Sequence, residues 1–284
     1  MRKFGWLKEE HSTKDYTLAT PVVASIYKQI QTFKPTVVTP LKADLRGMNI
    51  PVRDQGNLGS CTAFMLEGLI QYMQKKASGT YSNMSPLFMY KTTRKLMGWT
   101  GDTGAYIRNA IGSAVLLGSP TDKYYPYDIT KFDQEPTAFH YAIAQNFKAL
   151  IYFRLDTPGI TRSALLTAIK KQVNAGIPVG FGFNVYESYD QSEYNGGAFP
   201  FPSTGEKQLG GHAVCIYGFD DQKIITNPRG NKSTTGAFLI RNSWGESWGD
   251  KGYGWLPYEY VLKNQADDFW VITSEAFVNT KVFL

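Results

Sequence analysis

The sequence predicts an α+β protein with a helix-rich first half, a strand-rich second half and a cleft between the two. Two observations predict this: apolar residues recur at helical spacing before about residue 150, and runs rich in Val, Ile, Phe and Tyr dominate after it. At 284 residues the chain has ample material for a core.

The elements follow in chain order. Residues 1–40, closing on Pro35 and Pro40, precede the first dense motif and read as an N-terminal arm or short propeptide-like segment, either a packing strap or a cover for the active site. Residues 41–150 form the predicted helical lobe. A helix is expected from Cys61, with Leu66, Leu69, Ile70 and Met73 on one stripe and an end at Ala77-Ser78-Gly79. Ser85-Pro86 opens a second helix, a glycine-rich loop spans Gly98 to Gly104, and Ala105 to Leu117 carries a third helical pattern. Residues 151–284 form the predicted strand-rich lobe. There Thr161 caps a helix over Arg162 to Asn174, with Gly176 just past its end. Strands are expected over Pro178–Val185, His212–Phe219, Ala237–Arg241 and Phe269–Ala276, with a hairpin loop at 227–236.

Composition excludes several classes of function. The net charge of +6 is spread without a Lys/Arg block, so nucleic acid is not an expected partner. Two cysteines make no disulfide framework. No apolar run approaches the roughly 18 residues of a membrane span, so no membrane partner is expected. Charges occupy the first ten residues where a secretory signal needs an apolar stretch, so no signal peptide is expected and the location implied is intracellular.

The chemistry centres on Cys61. Its run Gln55-Gly56-Asn57-Leu58-Gly59-Ser60-Cys61 places a thiol at a helix start, where the positive end of the dipole favours a thiolate. A cysteine nucleophile needs a base, and the chain has three histidines. His11 lies in the polar arm, and His140 lies in a helix-like stretch where a packed or surface ring is expected. His212 follows Gly210-Gly211 and opens a strand of small and apolar residues. Alternation puts His212, Val214 and Ile216 on one face and Ala213, Cys215 and Tyr217 on the other, which leaves Cys215 as a core side chain. Asn242, in Asn242-Ser243-Trp244-Gly245, is placed to orient the imidazole while Trp244 shields that bond from water. Gln55 and the Cys61 N–H offer two donors to an oxyanion.

At these residues the sequence resembles the papain family of cysteine peptidases: Gln55 to Cys61, Gly211-His212, and Asn242-Ser-Trp-Gly followed by Trp248-Gly249 and Gly252-Tyr253-Gly254. The order Gln, Cys, His, Asn is the family's, and the similarity runs from about Asp44 onward. The resemblance implies a two-lobed fold with a helical left lobe and a β-barrel-like right lobe. It implies a cathepsin-like thiol protease, a hydrolase acting through Gln55, Cys61, His212 and Asn242. It also implies substrate contacts at Gly104, Ala105, Ile107, Gly211, Ala213 and Trp244. The expected partner is a polypeptide in extended conformation, and no metal or organic cofactor is implied. Leu58 stands where secreted members carry a disulfide cysteine, and Thr62 replaces an aromatic residue. This disulfide-poor form looks like members from bacteria, archaea and large DNA viruses, so packaging in a virus particle is the alternative location. An exopeptidase or acyl transferase on the same scaffold, or a catalytically silent binding protein, are the alternative functions. A zymogen held by residues 1–40 is the expected form of control.

Overall fold

The structure, a computed structural model, describes residues 2–25, 40–146 and 151–272. Helix α1 (Cys61–Ser78) is its central element, buried on most sides over Cys61–Gln74. Such all-round burial marks a helix packed from both flanks rather than one lying on a surface. It ends as expected: Gly79 takes the left-handed conformation at φ 76°, which a residue without Cβ adopts freely, and its N–H reaches Lys75 O. On one flank lie α2 (Pro86–Leu96) and α3 (Ile107–Leu117). Ser85 caps α2 by accepting from the Phe88 N–H, with proline in the first turn, where its missing donor costs nothing. The short α4 (Ala138–Ala144) contains His140, whose Nδ1 accepts from the Thr137 N–H in a capping box.

The other flank is an antiparallel sheet. Its strands are β1 (Lys42–Asp44), β2 (Tyr152–Arg154), β3 (Val179–Tyr186), β4 (Gln208–Asn227), β5 (Lys232–Arg241), β6 (Tyr253–Pro257) and β7 (Ala266–Ile272). The order is β2-β7-β3-β4-β5-β6, with β1 joined to β4. Thus Lys42–Asp44 sit on the sheet, although they precede the helices in the chain. Helix α5 (Arg162–Asn174), capped by Thr161, packs behind β3 and β4, and the short α6 (Glu259–Leu262) leads into β7.

Two expectations change in detail. The loop expected at 227–236 shrinks to a turn at 228–231, because β5 already starts at Lys232 and pairs Thr234 and Thr235 with β4. Its Ser/Thr side chains suit a solvated strand face as well as a loop. The last strand starts at Ala266 rather than Phe269, and the part of that expectation beyond Ile272 lies outside the described residues, as do arm residues 26–39.

Alternation along β4 divides the core. Ala213, Cys215 and Tyr217 join the cluster around α1, whereas Val214 and Ile216 join the one between the sheet and α5. At Gly68 helix and sheet approach so closely that a Cβ would lie 3.4 Å from Cys215 Sγ and 3.2 Å from Arg241 Nε. Arg241, buried, donates to Ile50 O and Pro51 O at 2.7 Å each. Those bonds tie the segment leading to Gln55 onto β5. The Gln55 N–H then donates to Ser243 O at 2.8 Å and the Gly245 N–H to Arg53 O at 3.2 Å. This short pairing sets Gln55 beside Asn242 across 187 residues of chain.

Candidate active site

Cys61 opens α1 at the floor of the cleft between helices and sheet. Its N-cap, Ser60, makes no side-chain cap; the Ser60 hydroxyl instead bonds Tyr127 Oη at 2.7 Å, and that hydroxyl also donates to Gln55 O at 2.8 Å. The first turn holds no acidic residue, so the positive helix end is left for the sulfur. Burial, the largest influence on the Cys61 thiol, is opposed by hydrogen bonding from the backbone of Ala213, Gly5, Thr62 and Cys61 itself, which favours the thiolate.

His212 comes from β4 on the opposite wall. Its Nε2 lies 2.7 Å from Asn242 Oδ1. The same oxygen accepts the Ser243 N–H at 2.8 Å, which fixes the amide with its oxygen towards the ring. Nε2 must then carry the hydrogen, leaving Nδ1 as the basic nitrogen, and Nδ1 has no hydrogen-bond partner. Trp244 stacks on the imidazole with centroids 4.9 Å apart and planes 23° apart, covering the His–Asn bond. Gln55 Nε2 donates to Leu58 O at 2.8 Å and to Lys3 O at 3.2 Å, while Gln55 Oε1 accepts from Ser243 Oγ at 2.6 Å. Gln55, His212 and Asn242 are therefore linked through Ser243, while Cys61 stands at the head of α1. Cys215 does not join them: it is buried on the far face of β4, with Sγ 3.1 Å from Met65 O.

The arm fills this cleft. Trp6 pairs with Ala105 as in a parallel ladder, the Ala105 N–H donating to Gly5 O at 2.8 Å and the Leu7 N–H to Ala105 O at 3.2 Å. The Trp6 N–H donates to Gly211 O at 2.8 Å. Gly104, at φ 76°, lets the arm come this close, since a Cβ there would meet Gly5 O at 2.4 Å. Ile107 and Ala213 belong to the same buried cluster as Trp6. Phe4 lies against His212 and Trp244, and the Arg2 guanidinium sits 5.1 Å over the Trp244 ring. Lys3 Nζ pairs with Asp102 at 2.5 Å. The six residues expected to contact an extended peptide thus all lie against or beside the arm.

Burial governs the ionisation of Cys61 and His212. It pushes the Cys61 thiol up to about 11 and the His212 imidazole down to about 4, with the Asn242 bond opposing the second shift. Both shifts favour the neutral thiol and neutral imidazole while the arm is seated.

Several residues of this region escaped the sequence reading. Asp268, buried on β7, accepts the Trp6 Nε1–H at 3.0 Å. Gly182 gives Trp6 its space: a Cβ there would lie 2.0 Å from the indole. Two signals were available, the alternating glycines of Gly180-Phe-Gly182-Phe, which mark close approach to a strand, and two aspartates in an otherwise apolar strand. Among the described residues no group of three or more His, Cys, Asp or Glu is placed to hold a metal, and no helix is long and apolar enough to cross a membrane.

Comparison with known proteins bears on the family and the fold. The model of the family described as papain family cysteine protease matches residues 39–267. An uncharacterized peptidase C1-like protein of Acanthamoeba polyphaga mimivirus is 33% identical over 95% of this chain and 86% of its own. Mouse cathepsin K is 26% identical over 74% of this chain, which spans only 57% of that protein. Among solved structures, xylellain, a cysteine protease from Xylella fastidiosa, superposes with a TM-score of 0.75 at 32% identity, covering 95% of this chain and 96% of its own. Bromelain from Ananas comosus, in complex with the E64 inhibitor, shares the fold at 20% identity and a TM-score of 0.59, covering 83% of this chain and 100% of its own. With the family's model spanning both lobes and the cleft between them, the chain belongs to the papain family of cysteine proteases.

Proposed function

We propose that the chain is an endopeptidase working through Cys61, His212 and Asn242, held latent by its own N-terminal arm. The observation that carries this reading is the path of the arm. It runs through the cleft past Cys61, with Arg2 near Asp54 and Glu193 on one side and Trp6 and Leu7 on Ala105 and Gly211 on the other. A cleft that takes an extended chain on both sides of the nucleophile suits cleavage inside a polypeptide.

His212 Nδ1 takes the Cys61 proton, and the thiolate attacks the scissile carbonyl carbon. The oxyanion is received by Gln55 Nε2 and the Cys61 N–H. His212 then delivers its proton to the leaving amine, and a thioester to Cys61 remains. Water attacks that thioester with His212 as base, releasing the acid and restoring the thiol.

Deleting residues 1–10 is expected to raise peptidase activity more than about tenfold, since a cover worth only about 1.4 kcal/mol already closes nine-tenths of the clefts. A thiol-directed epoxide is expected to label Cys61 in the deletion variant, to label it slowly in the intact chain, and to spare buried Cys215 in both. Activity of the intact chain unchanged by the deletion would refute latency. Products released one or two residues at a time from a chain end would replace the endopeptidase reading with an exopeptidase. Gln55→Ala in the deletion variant is expected to lower kcat about 10²- to 10³-fold with little change in KM, as for loss of one oxyanion donor.

A further inference from the structure

The arm is anchored beyond Trp6 by a buried cluster of charges in which acids outnumber bases. The arm contributes Glu9 and Asp15. The body contributes Asp156, just after β2, and Asp268 on β7, together with Arg108 on α3 and Arg154 on β2. Arg108 bonds both arm acids, with Nη1 2.9 Å from Glu9 Oε2 and Nε 2.6 Å from Asp15 Oδ1. Arg154 lies 2.6 Å from Asp268, 3.0 Å from Asp156 and 3.6 Å from Asp15. The nearby Lys8 and Arg162 do not correct the balance, because both are engaged by Asp267 at 2.7 and 2.8 Å. Tyr16, Tyr152 and Trp270 fill the remaining space and bring no cation.

Without the arm, two guanidiniums face two carboxylates. With it, the same two face four, and Glu9 and Asp268 are both nearly inaccessible to water, at 7% and 0% exposure. A surplus of negative charge removed from water is costly, and the carboxylate relieves it by holding a proton. We propose that seating the arm draws a proton into the Glu9–Asp268 cluster, so that the arm is held tightest in acid and loosens as the pH rises towards neutrality.

The sign follows from which state binds the proton more tightly. In the seated arm burial raises Glu9 from 4.5 to about 7 against the pull of Arg108, and the Glu9 charge adds to the burial that holds Asp268 at about 7 against the pull of Arg154. The seated state therefore binds more protons between the ordinary carboxylate range and about pH 7. Its extra hold is complete below that range and is lost as the pH rises through it to about 7, after which docking becomes flat. Asp15, lowered although burial opposes this, because Arg108 bonds it, works in the opposite sense and only in stronger acid.

This inference rests on the arm being the cover of the cleft, and its test is read without turnover, so it fails or stands separately from latency. In the intact protein, hydrogen exchange of the Trp6 and Leu7 amides is measured from pH 5 to 8 and divided by the intrinsic rate at each pH. Amides of α1 serve as the reference. One proton taken up predicts protection falling by up to about tenfold per pH unit between pH 5 and 7, then levelling off. Glu9→Gln, which keeps an acceptor for the Arg108 N–H without the charge, is expected to flatten this slope. Asp268→Asn provides the same test if the first variant does not fold. Protection that is constant or rises over this range in the native sequence overturns the proposal, as does an undiminished slope in both variants.

Discussion

Replacing Cys61 by alanine is expected to lower kcat/KM on an unstructured protein substrate by at least about 10⁴-fold, measured in a form lacking residues 1–10 so that the full range is visible. In the proposed mechanism Cys61 supplies the covalent step, and Cys215, buried against α1 with Sγ on Met65 O, is not placed to replace it. His212→Ala is expected to cost a comparable factor, and the double variant hardly more than either alone, since base and nucleophile act as one unit. Activity surviving in Cys61→Ala would remove this cysteine from the reaction. The fold should tolerate the change, as alanine leaves only the space of one sulfur in a site that is fully buried.

Trp6→Ala is the second large effect, and in the opposite direction: activity of the intact chain is expected to rise about 10²-fold. Truncating a buried tryptophan costs about 3–5 kcal/mol, and here the loss falls on docking of the arm rather than on the core of either lobe. At about 1.4 kcal/mol per factor of ten, even 3 kcal/mol opens the cleft some 10²-fold more often. Trp6→Phe separates the contributions, because it keeps much of the buried area and removes only the Nε1–H that reaches Asp268. An intermediate rise for Trp6→Phe assigns part of the hold to that bond. Intact-chain activity and Cys61 labelling that do not move in Trp6→Ala would show that the indole does not hold the arm.

The residues of the candidate site were legible in the sequence because each sits in a local pattern with its own physical signature. Cys61 stands at a helix start, His212 follows a glycine pair at a strand, and Asn242 follows the neighbouring strand. Strand alternation placed His212 and Cys215 on opposite faces without any knowledge of the sheet. The anchoring of the arm was not legible, because its partners are set by tertiary contact alone. Trp6 meets Gly182, Gly211 and Asp268, and nothing local to residues 2–10 announces any of them. The 227–236 segment misled for a different reason. Serine and threonine serve a solvated strand as well as a turn, and pairing with β4 decided between them. The pairing of residues 53–55 with 243–245 was equally hidden, although it sets Gln55 in place.

The bond from Trp6 to Asp268 joins positions 262 residues apart. Such a contact cannot form locally and late strands cannot be bypassed, since β7 pairs with β3 and thereby flanks the wall that receives the indole. During synthesis the arm is made well before its anchor, which lies on the last of the described strands. A partly made chain thus carries a cover with nowhere to sit, but it also lacks the finished wall of the cleft. Docking of β7 onto β3 brings both the Asp268 anchor of the arm and support for the β3 wall that receives Trp6. If the arm is the cover proposed above, the order of assembly itself leaves little interval in which the cleft would stand open beside the ribosome.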